Sequence, residues 1–298
     1  MAGPSAFKSE AARVEYCRWY DEAVSLCEMH VDHSDIETSF GATHVLTAGD
    51  PSKPTLVALP GMATSSTMWL PLLPALAAAH HVRLIDVIGD VGRSVATAVL
   101  TSPAQITAWI GETLDQLGVD RAVFVGASTG AWMATHYAMA HPERVQRLAL
   151  ICPAGIVSAQ KPGWLFRALM AGRFRVSRPR FEAFVESLAM VGSHQRMRSD
   201  PWRPILEQLI SGPFLFRRGL REPRPVRCNI ARLAASRIPV SVVIGREETL
   251  HDGKKVAARF RRQLPGAQVH LVENANHLVF IDQQDAVDKY LREFLSAP

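Results

Sequence analysis

The sequence AVFVGASTGAWMATHYAMA, residues 122–140, joins a short apolar run to a helix-forming run through a turn that carries one serine. A serine on a sharp strand-to-helix turn has a strained backbone that leaves almost no room for side chains two residues away. Gly126 and Gly130 stand at those two positions. A bare G-x-S-x-G also arises by chance as an ordinary turn. The flanking residues favour a buried strand and then a helix, so the stretch predicts a nucleophile elbow at Ser128.

The composition of the 298-residue chain is that of an ordinary globular protein, with 48% hydrophobic and 20% charged residues. This length suits one large domain with an insertion. The four cysteines lie far apart without a C-x-x-C pair, and the eleven histidines form no H-E-x-x-H motif. We therefore predict reduced, mostly buried thiols at Cys17, Cys27, Cys152 and Cys228, and neither a metal site nor a cofactor.

No apolar run approaches the ~20 residues that a membrane helix needs. The N-terminal stretch, MAGPSAFKSEAARVEYCRWYDEAV, lacks an apolar signal core and carries charges from Lys8 onward. We therefore expect no membrane span and a cytoplasmic location.

Apolar runs alternate with helical periodicities along most of the chain, which predicts an α/β fold with a mostly parallel central sheet flanked by helices. Strands are expected at 36–40, 43–46, 55–59, 82–87, 123–125, 147–152, 239–245 and 268–272, with Gly41 in the hairpin between the first two. Helices are expected at 9–26, 103–117, 254–262 and 284–295, and SSTMWLPLLPALAAA at 65–79 has a helix-like composition.

One segment departs from this alternation. From Pro153 to Ile238 no strand is evident, and the apolar spacing is helical, as at Phe181, Phe184 and Val185. This pattern predicts an inserted helical cap over residues 154–238, between a first core part (1–153) and a second core part (239–298).

Positive charge concentrates in the expected cap. Residues 161–237 hold 16 basic and 5 acidic side chains, a net +11, whereas the rest of the chain holds 17 and 23, a net −6. A solvated arginine-rich surface accounts for this pattern. The alternative is steering of an anionic substrate or an acidic carrier protein. No nucleic-acid partner is expected, because the arginines are dispersed through an apolar segment without a recognised nucleic-acid module.

A serine hydroxyl is a weak nucleophile unless a base assists it and a third group orients that base. His277 is the candidate base, because it follows the last strand, where the carboxyl edge of the sheet lies near the elbow. The rivals are His270, inside that strand, and His251, in a polar loop. His136, in the helix behind the elbow, is expected to be a satisfied core or interface histidine.

The third group is a carboxylate near the same edge of the sheet. No acidic residue stands at the tip of the strand at 147–152, whereas the loop after Gly245 offers three. We select Glu248, and we expect Glu247 to be a solvated surface charge and Asp252 to cap the helix that begins near Gly253.

The oxyanion that forms on attack needs two N–H donors. The backbone N–H of Thr129, the residue after the serine, is one candidate. The N–H of Met62, in the turn after the strand at 55–59, is the other, because Pro60 has no N–H.

Together these residues resemble the α/β-hydrolase superfamily along nearly the whole chain. The similar motifs are the oxyanion turn PGMATSSTMW (60–69), the Asp-x-x-Gly turn IDVIGDVGRS (85–94), the elbow GASTG (126–130), HPERV (141–145), the acid loop GREE (245–248) and NANH (274–277). The N-terminal helix, SSTMW, DVIGD and a glutamate as the acid are most similar to a group of bacterial carboxylesterases. Two positions depart from the family pattern: Pro60 replaces the usual histidine, and Asn276 replaces the usual glycine.

The resemblance implies a serine hydrolase of carboxylic esters, with catalytic Ser128, His277 and Glu248 and an oxyanion hole at Met62 and Thr129. Apolar cap residues favour a hydrophobic substrate, unless they only pack the cap onto the core: Trp164, Leu165, Phe166, Leu169, Phe181 and Phe184. The same groups also serve a thioesterase, an acyltransferase or a carbon–carbon bond hydrolase. A ligand-binding receptor on a hydrolase scaffold is the alternative without catalysis.

Overall fold

The structure, a computed structural model, describes residues 6–164, 177–217 and 225–296. The strands are β1 (Asp32–Thr38), β2 (Gly41–Ala48), β3 (Thr55–Leu59), β4 (His81–Ile85), β5 (Val95–Ala96), β6 (Ala122–Ala127), β7 (Val145–Ile151), β8 (Val240–Gly245) and β9 (Gln268–Val272). The helices are α1 (Glu10–Ser25), α2 (Leu73–Ala77), α3 (Pro103–Gln116), α4 (Thr129–Ala140), α5 (Arg178–Glu186), α6 (His194–Met197), α7 (Trp202–Leu215), α8 (Ala231–Ser236), α9 (Gly253–Gln263), α10 (Val279–Asp282) and α11 (Gln284–Leu295).

The strands form one mostly parallel sheet in the order β1-β2-β4-β3-β6-β7-β8-β9, with β5 paired to β2. Pairing is parallel from β4 through β3 to β9 and antiparallel where β2 meets β1, β4 and β5. The carboxyl ends of the parallel strands therefore share one edge, which brings the loops after β3, β6, β8 and β9 together. The predicted fold class is confirmed.

The apolar core lies on both faces of this sheet. In β3, Leu56 and Ala58 belong to one buried cluster, whereas Val57 and Leu59 belong to the other. Successive side chains of a strand point to opposite faces, so a strand covered on both sides needs an unbroken apolar run. This requirement explains why the parallel strands were recognisable in the sequence.

Two elements differ in detail from the sequence expectation. The stretch at 65–79 is helical, as its composition indicates, but it is divided into a 3₁₀ helix, Ser66–Leu72, and the short α2. Pro71 lies inside the first piece and Pro74 at the start of the second, and proline cannot donate the backbone hydrogen bond that a continuous helix needs. The first hairpin has longer strands than expected, because β1 alternates exposed and half-buried side chains and carries little apolar signal.

Between β7 and β8 the described residues form helices α5 to α8 and no strand, apart from a single bridge between Phe216 and Phe7. A helical cap is thus part of the fold, while the boundaries at 154 and 238 stay a prediction. Leu165, Phe166 and Leu169 lie outside the described residues. Within the described ranges no helix is long and apolar enough to cross a membrane, and the cytoplasmic location stays a prediction.

Candidate active site

Ser128 lies on the tight turn between β6 and α4, with φ 50° and ψ −111°. A Cβ atom added to Gly130 would lie 2.2 Å from the Leu59 carbonyl oxygen, and one added to Gly126 would lie 2.6 Å from Ala131 Cα. Both distances are shorter than real contacts allow, so this turn requires glycine at both positions. The steric reason for reading an elbow from the sequence therefore applies in the structure.

His277 and Glu248 form a hydrogen-bonded series with Ser128. His277 Nε2 lies 3.0 Å from Ser128 Oγ, and His277 Nδ1 lies 2.8 Å from Glu248 Oε2. The serine follows β6, the glutamate follows β8, and the histidine follows β9. The structure thus brings together the three residues selected from the sequence, at distances that allow proton transfer from the hydroxyl to the imidazole.

Glu248 is 3% exposed, and this burial acts to raise the pKa of its carboxyl group. The charge of His277 and the hydrogen bonds from His277 and the Leu250 N–H act in the opposite direction. The net result is a pKa below the usual value for glutamate. An ionised Glu248 accepts the Nδ1–H of His277, which leaves Nε2 free to accept a proton from Ser128.

The turn after β3 lies against the elbow, since a Cβ atom on Gly61 would lie 3.5 Å from Ser128 Cβ. Asp90 Oδ2 accepts the Ala63 N–H at 2.7 Å, which secures the turn on its other side. Met62 and Thr129 both line the cavity above the serine. Within the described parts of the chain, neither backbone N–H donates to an acceptor, so both are available to a developing oxyanion.

The rival histidines have other partners. The buried His251 places Nδ1 3.1 Å from the Ala159 carbonyl oxygen and Nε2 3.4 Å from the Gly155 nitrogen. His270 stacks on Tyr290 with ring centroids 3.9 Å apart. His251 is therefore held by two backbone groups, whereas the half-buried His270 packs on Tyr290.

His136 packs edge-on against Trp132, with ring centroids 4.5 Å apart. Its buried Nε2 has no hydrogen-bond partner among the described residues, so the expectation of a satisfied histidine is wrong.

The two other acids of the loop after Gly245, Glu247 and Asp252, have the expected roles with one correction. Asp252 accepts the Lys255 N–H at 3.1 Å and caps α9. Glu247 is exposed, but its Oε2 also accepts the Ala275 N–H at 3.0 Å. It is therefore more than a solvated charge, because it also helps to order the loop that precedes His277.

Sequence reasoning included Cys152 among the buried thiols but did not place it at the site, where its Sγ and ligand atoms of Glu248 and His277 lie within 4.8 Å of one another. The three residues are 96 and 29 positions apart in sequence, so no spacing motif could reveal them. Burial raises the pKa of the Cys152 thiol, which favours its neutral form. All four cysteines are free, but only Cys152 is buried, so the prediction of mostly buried thiols is wrong for the other three.

A cavity of about 290 Å³ lies over Ser128 and His277. Its described lining contains no Asp, Glu, Lys or Arg. The cap and the core both contribute to its apolar wall, and four of the cap residues come from α5 and the segment after it: Phe181, Phe184, Val185 and Leu188. Trp164 and Phe280 add further aromatic surface.

A parallel sheet with serine, histidine and carboxylate in hydrogen-bonded series at its carboxyl edge is the arrangement of serine hydrolases on the α/β-hydrolase scaffold. The chain belongs to the α/β-hydrolase family, whose model, described as the alpha/beta hydrolase fold, matches residues 54–284. The family and the enzyme class expected from the sequence are confirmed.

The similar proteins match nearly the whole chain. Carboxylesterase YbfK of Bacillus subtilis (strain 168) is 24% identical over 296 residues, which covers 97% of this chain and 96% of the relative. The uncharacterized carboxylesterase nap of the same organism is 24% identical over 292 residues, with 95% and 93% coverage. The crystal structure of naproxen esterase (carboxylesterase NP) from Bacillus subtilis has a TM-score of 0.86 at 23% identity, covering 97% of this chain and 100% of that one.

Proposed function

We propose that the protein hydrolyses carboxylic esters through an acyl-enzyme intermediate on Ser128. The observation that carries the proposal is the hydrogen-bonded series from Ser128 through His277 to Glu248 beneath an apolar cavity. Two relatives that match almost the full chain are carboxylesterases, which supports an ester as the bond that is cleaved.

In the acylation step, Ser128 Oγ attacks the ester carbonyl carbon while its proton passes to His277 Nε2. The carbonyl oxygen becomes an oxyanion that accepts hydrogen bonds from the N–H groups of Met62 and Thr129. His277 then protonates the departing alkoxide, and the alcohol leaves while the acyl group stays on Ser128. Throughout this step Glu248 stabilises the imidazolium and maintains its orientation.

Deacylation repeats the same sequence with water. His277 Nε2 takes a proton as the water oxygen attacks the acyl carbon, and a second oxyanion forms. Ser128 Oγ then leaves with the proton from His277, which releases the carboxylic acid and restores the enzyme. Neither half of the reaction requires a cofactor.

The cavity favours a neutral, hydrophobic substrate with an aromatic group. Its volume of about 290 Å³ is roughly twice the ~150 Å³ of an apolar cavity that binds benzene. A charged group placed there would lose hydration without a charged partner in the described lining. One similar structure is that of a naproxen esterase, which agrees with an aromatic acyl group.

Fluorophosphonate labelling followed by a substrate panel tests the proposal. The wild type should be labelled and should hydrolyse aryl esters. The Ser128→Ala variant should not be labelled, should lose on the order of 10⁴-fold or more in turnover and should keep the wild-type thermal unfolding. If pure Ser128→Ala kept most of the wild-type turnover, Ser128 would not be the nucleophile.

The same panel separates the alternatives. Preferred turnover of a thioester, of a carbon–carbon substrate or of an added acyl acceptor identifies the other reactions that this site can support. Saturable ligand binding with neither labelling nor turnover identifies a receptor.

A further inference from the structure

We propose that Asn276 is a positioning residue whose buried side-chain amide links His277, the acid loop (residues 246–252) and the cap wall of the cavity. The proposal rests on the proposed function and deepens it. Asn276 directly precedes His277 and is 5% exposed. The sequence marked it only as a departure from the family pattern, without a reason for an amide at this position.

The amide oxygen orders the histidine and the acid together. Asn276 Oδ1 accepts the His277 N–H at 2.8 Å and the Thr249 N–H at 2.9 Å. Thr249 is the residue after Glu248, so one oxygen atom determines the separation of the two backbones that carry the imidazole and the carboxylate. A glycine at position 276 could make neither contact.

The amide nitrogen reaches the cap. Asn276 Nδ2 donates to the carbonyl oxygens of Ser187 at 3.1 Å and of Ala189 at 3.5 Å. Between them, the Leu188 carbonyl oxygen accepts the Leu278 N–H at 2.9 Å. Leu188 lines the cavity. The same side chain that orders His277 therefore also sets the distance of this cap wall from it.

Asp282 reinforces the junction from α10. Its Oδ2 accepts the Asn276 N–H at 2.8 Å, and its Oδ1 accepts the Met190 N–H at 2.9 Å. Asn276 and Asp282 are each 5% exposed. The segment also packs closely on β8, because a Cβ atom on Gly245 would lie 2.3 Å from the Asn276 carbonyl oxygen. Buried polar groups with this many partners leave few alternative arrangements.

Asparagine fits this place because its oxygen accepts two hydrogen bonds while its NH₂ group donates two. Aspartate has nearly the same shape and keeps the two acceptor contacts, but its second oxygen would face the carbonyl oxygens of Ser187 and Ala189. Glycine loses all four side-chain contacts and keeps the two backbone contacts, from its N–H to Asp282 and from the Cys152 thiol to its carbonyl oxygen. The two substitutions therefore separate the histidine side of the junction from the cap side.

The test compares Asn276→Gly and Asn276→Asp with the wild type on a small neutral ester and on a bulky aryl ester. Asn274→Asp, an exposed position two residues away, is the matched control. For Asn276→Gly we expect kcat to fall on the order of 10²-fold with both esters, since a base displaced by ~1 Å costs that much. For Asn276→Asp we expect KM to rise about tenfold for the bulky ester, with a much smaller change of kcat for the small one.

The proposal would be overturned if Asn276→Gly showed the same kcat and KM as the Asn274→Asp control on both esters. It would also be overturned if Asn276→Asp lost the same factor of kcat/KM on the small and on the bulky ester. Thermal unfolding of each variant shows whether it folds, and if Asn276→Gly does not, the two aspartate variants decide. Labelling and turnover of the wild type are measured in the same series. A wild type that hydrolyses no ester contradicts the proposed function, whereas an active wild type makes the variants a test of Asn276 alone.

Discussion

At the residue scale, the reactivity of Ser128 depends on a backbone conformation that a serine rarely adopts. A φ of 50° with ψ −111° costs about 1–3 kcal/mol and persists only when the surroundings impose it. Two hydrogen bonds do so: the Ser128 N–H donates to the Ile151 carbonyl at 2.9 Å, and the Ala154 N–H donates to the Ser128 carbonyl at 3.2 Å. The elbow is thus attached to the end of β7 on both sides.

The adjacent glutamates allow a sharp prediction at this scale. Glu248→Gln should lower kcat toward 10⁴-fold, because a neutral amide no longer stabilises the imidazolium or selects its tautomer. Glu247→Gln should change kcat less than about threefold, because the amide oxygen can still accept the Ala275 N–H. Steady-state kinetics on one aryl ester measure both. A larger loss of kcat in Glu247→Gln than in Glu248→Gln would show that Glu247, and not Glu248, is the catalytic carboxylate.

Single residues were predictable where a local rule constrains them. Ser128 follows from the glycines around it. The loop that carries the acid follows from the lack of an acidic residue at the tip of the strand at 147–152, and Glu248 was selected there over Glu247 and Asp252. Asn276 had no such signal, because its side-chain partners are 27 and 89 positions away, at Thr249 and Ser187. Hydrogen bonds over such distances depend on the folded loops and leave no pattern in the sequence.

At the element scale, the buried parallel strands and the long helices were predictable from periodicity alone. The two-residue strand β5 was not, because Val95–Ala96 is too short to show alternation. The helical character of the stretch after β3 was recognised from composition, but its division at Pro71 and Pro74 into a 3₁₀ helix and a short α-helix was not. The turn between β3 and this helix carries Met62, and a neighbouring loop holds it in place for the oxyanion through Asp90.

That neighbouring loop supplies a testable contact. Asp90 is 3% exposed and accepts the Ala63 N–H, one residue from Met62, and the Val91 N–H. Asp90→Ala should lower kcat by up to the order of 10²-fold, because the turn can no longer aim the Met62 N–H accurately. Stability should fall by about 1–3 kcal/mol through the unpaired N–H groups.

Kinetics and denaturant unfolding measure these two effects separately. Asp50→Ala, in an exposed turn before β3, is the control and should leave kcat unchanged. An Asp90→Ala variant that loses stability while keeping its kcat would contradict a role in the oxyanion turn.

Helix α11 contains a carboxylate that the fold disfavours in its charged form. Burial raises the pKa of Asp288 to about 6, above its value of 3.8 outside the protein. Because folding raises this pKa, the stabilising contribution of Asp288 to the free energy of unfolding is fully present below about pH 3.8. That contribution is lost as the pH rises through about 6. Asp288→Asn should therefore raise Tm relative to the wild type near pH 8 and much less near pH ~4.5. Thermal melts at the two pH values measure this difference. The exposed Glu293→Gln control should respond little at either, and a pH-independent Tm change in Asp288→Asn would contradict the linkage.

At the scale of the whole molecule, the cap is joined to the core on both sides of the site. Near the oxyanion turn, Gln208 of α7 accepts the hydroxyls of Ser65 and Thr67 and donates to the Trp19 carbonyl of the N-terminal helix. Near the histidine, Asn276 makes the corresponding connection. The cavity therefore lies between two buried polar junctions, which fixes its cap wall relative to Ser128.

Charge is uneven over the molecule, with a net +11 in residues 161–237 and −6 elsewhere. All four described acids of the cap form ion pairs. Arg178 pairs with Glu207, and Arg203 pairs with Asp200. Arg198 pairs with both Glu182 and Glu186. Arg173 and Arg175 lie outside the described residues. Among the described residues, the exposed Arg180, Arg227 and Arg232 have no ion-pair partner, so their charge adds to the net positive field of the cap.

We predict that this field acts on encounter rather than on chemistry. Esters with an anionic alcohol group, or an acidic carrier protein, should lose kcat/KM with added salt more steeply than neutral esters, because screening at ~0.1 M acts over about 10 Å. Reversing Arg180, Arg227 and Arg232 to glutamate should reduce that salt slope and leave kcat for a small neutral ester unchanged, since none of the three lines the cavity. Initial rates over a salt series measure both quantities. Equal salt slopes for neutral and anionic esters in the unmodified protein would show that the arginines are a solvated surface without a steering role.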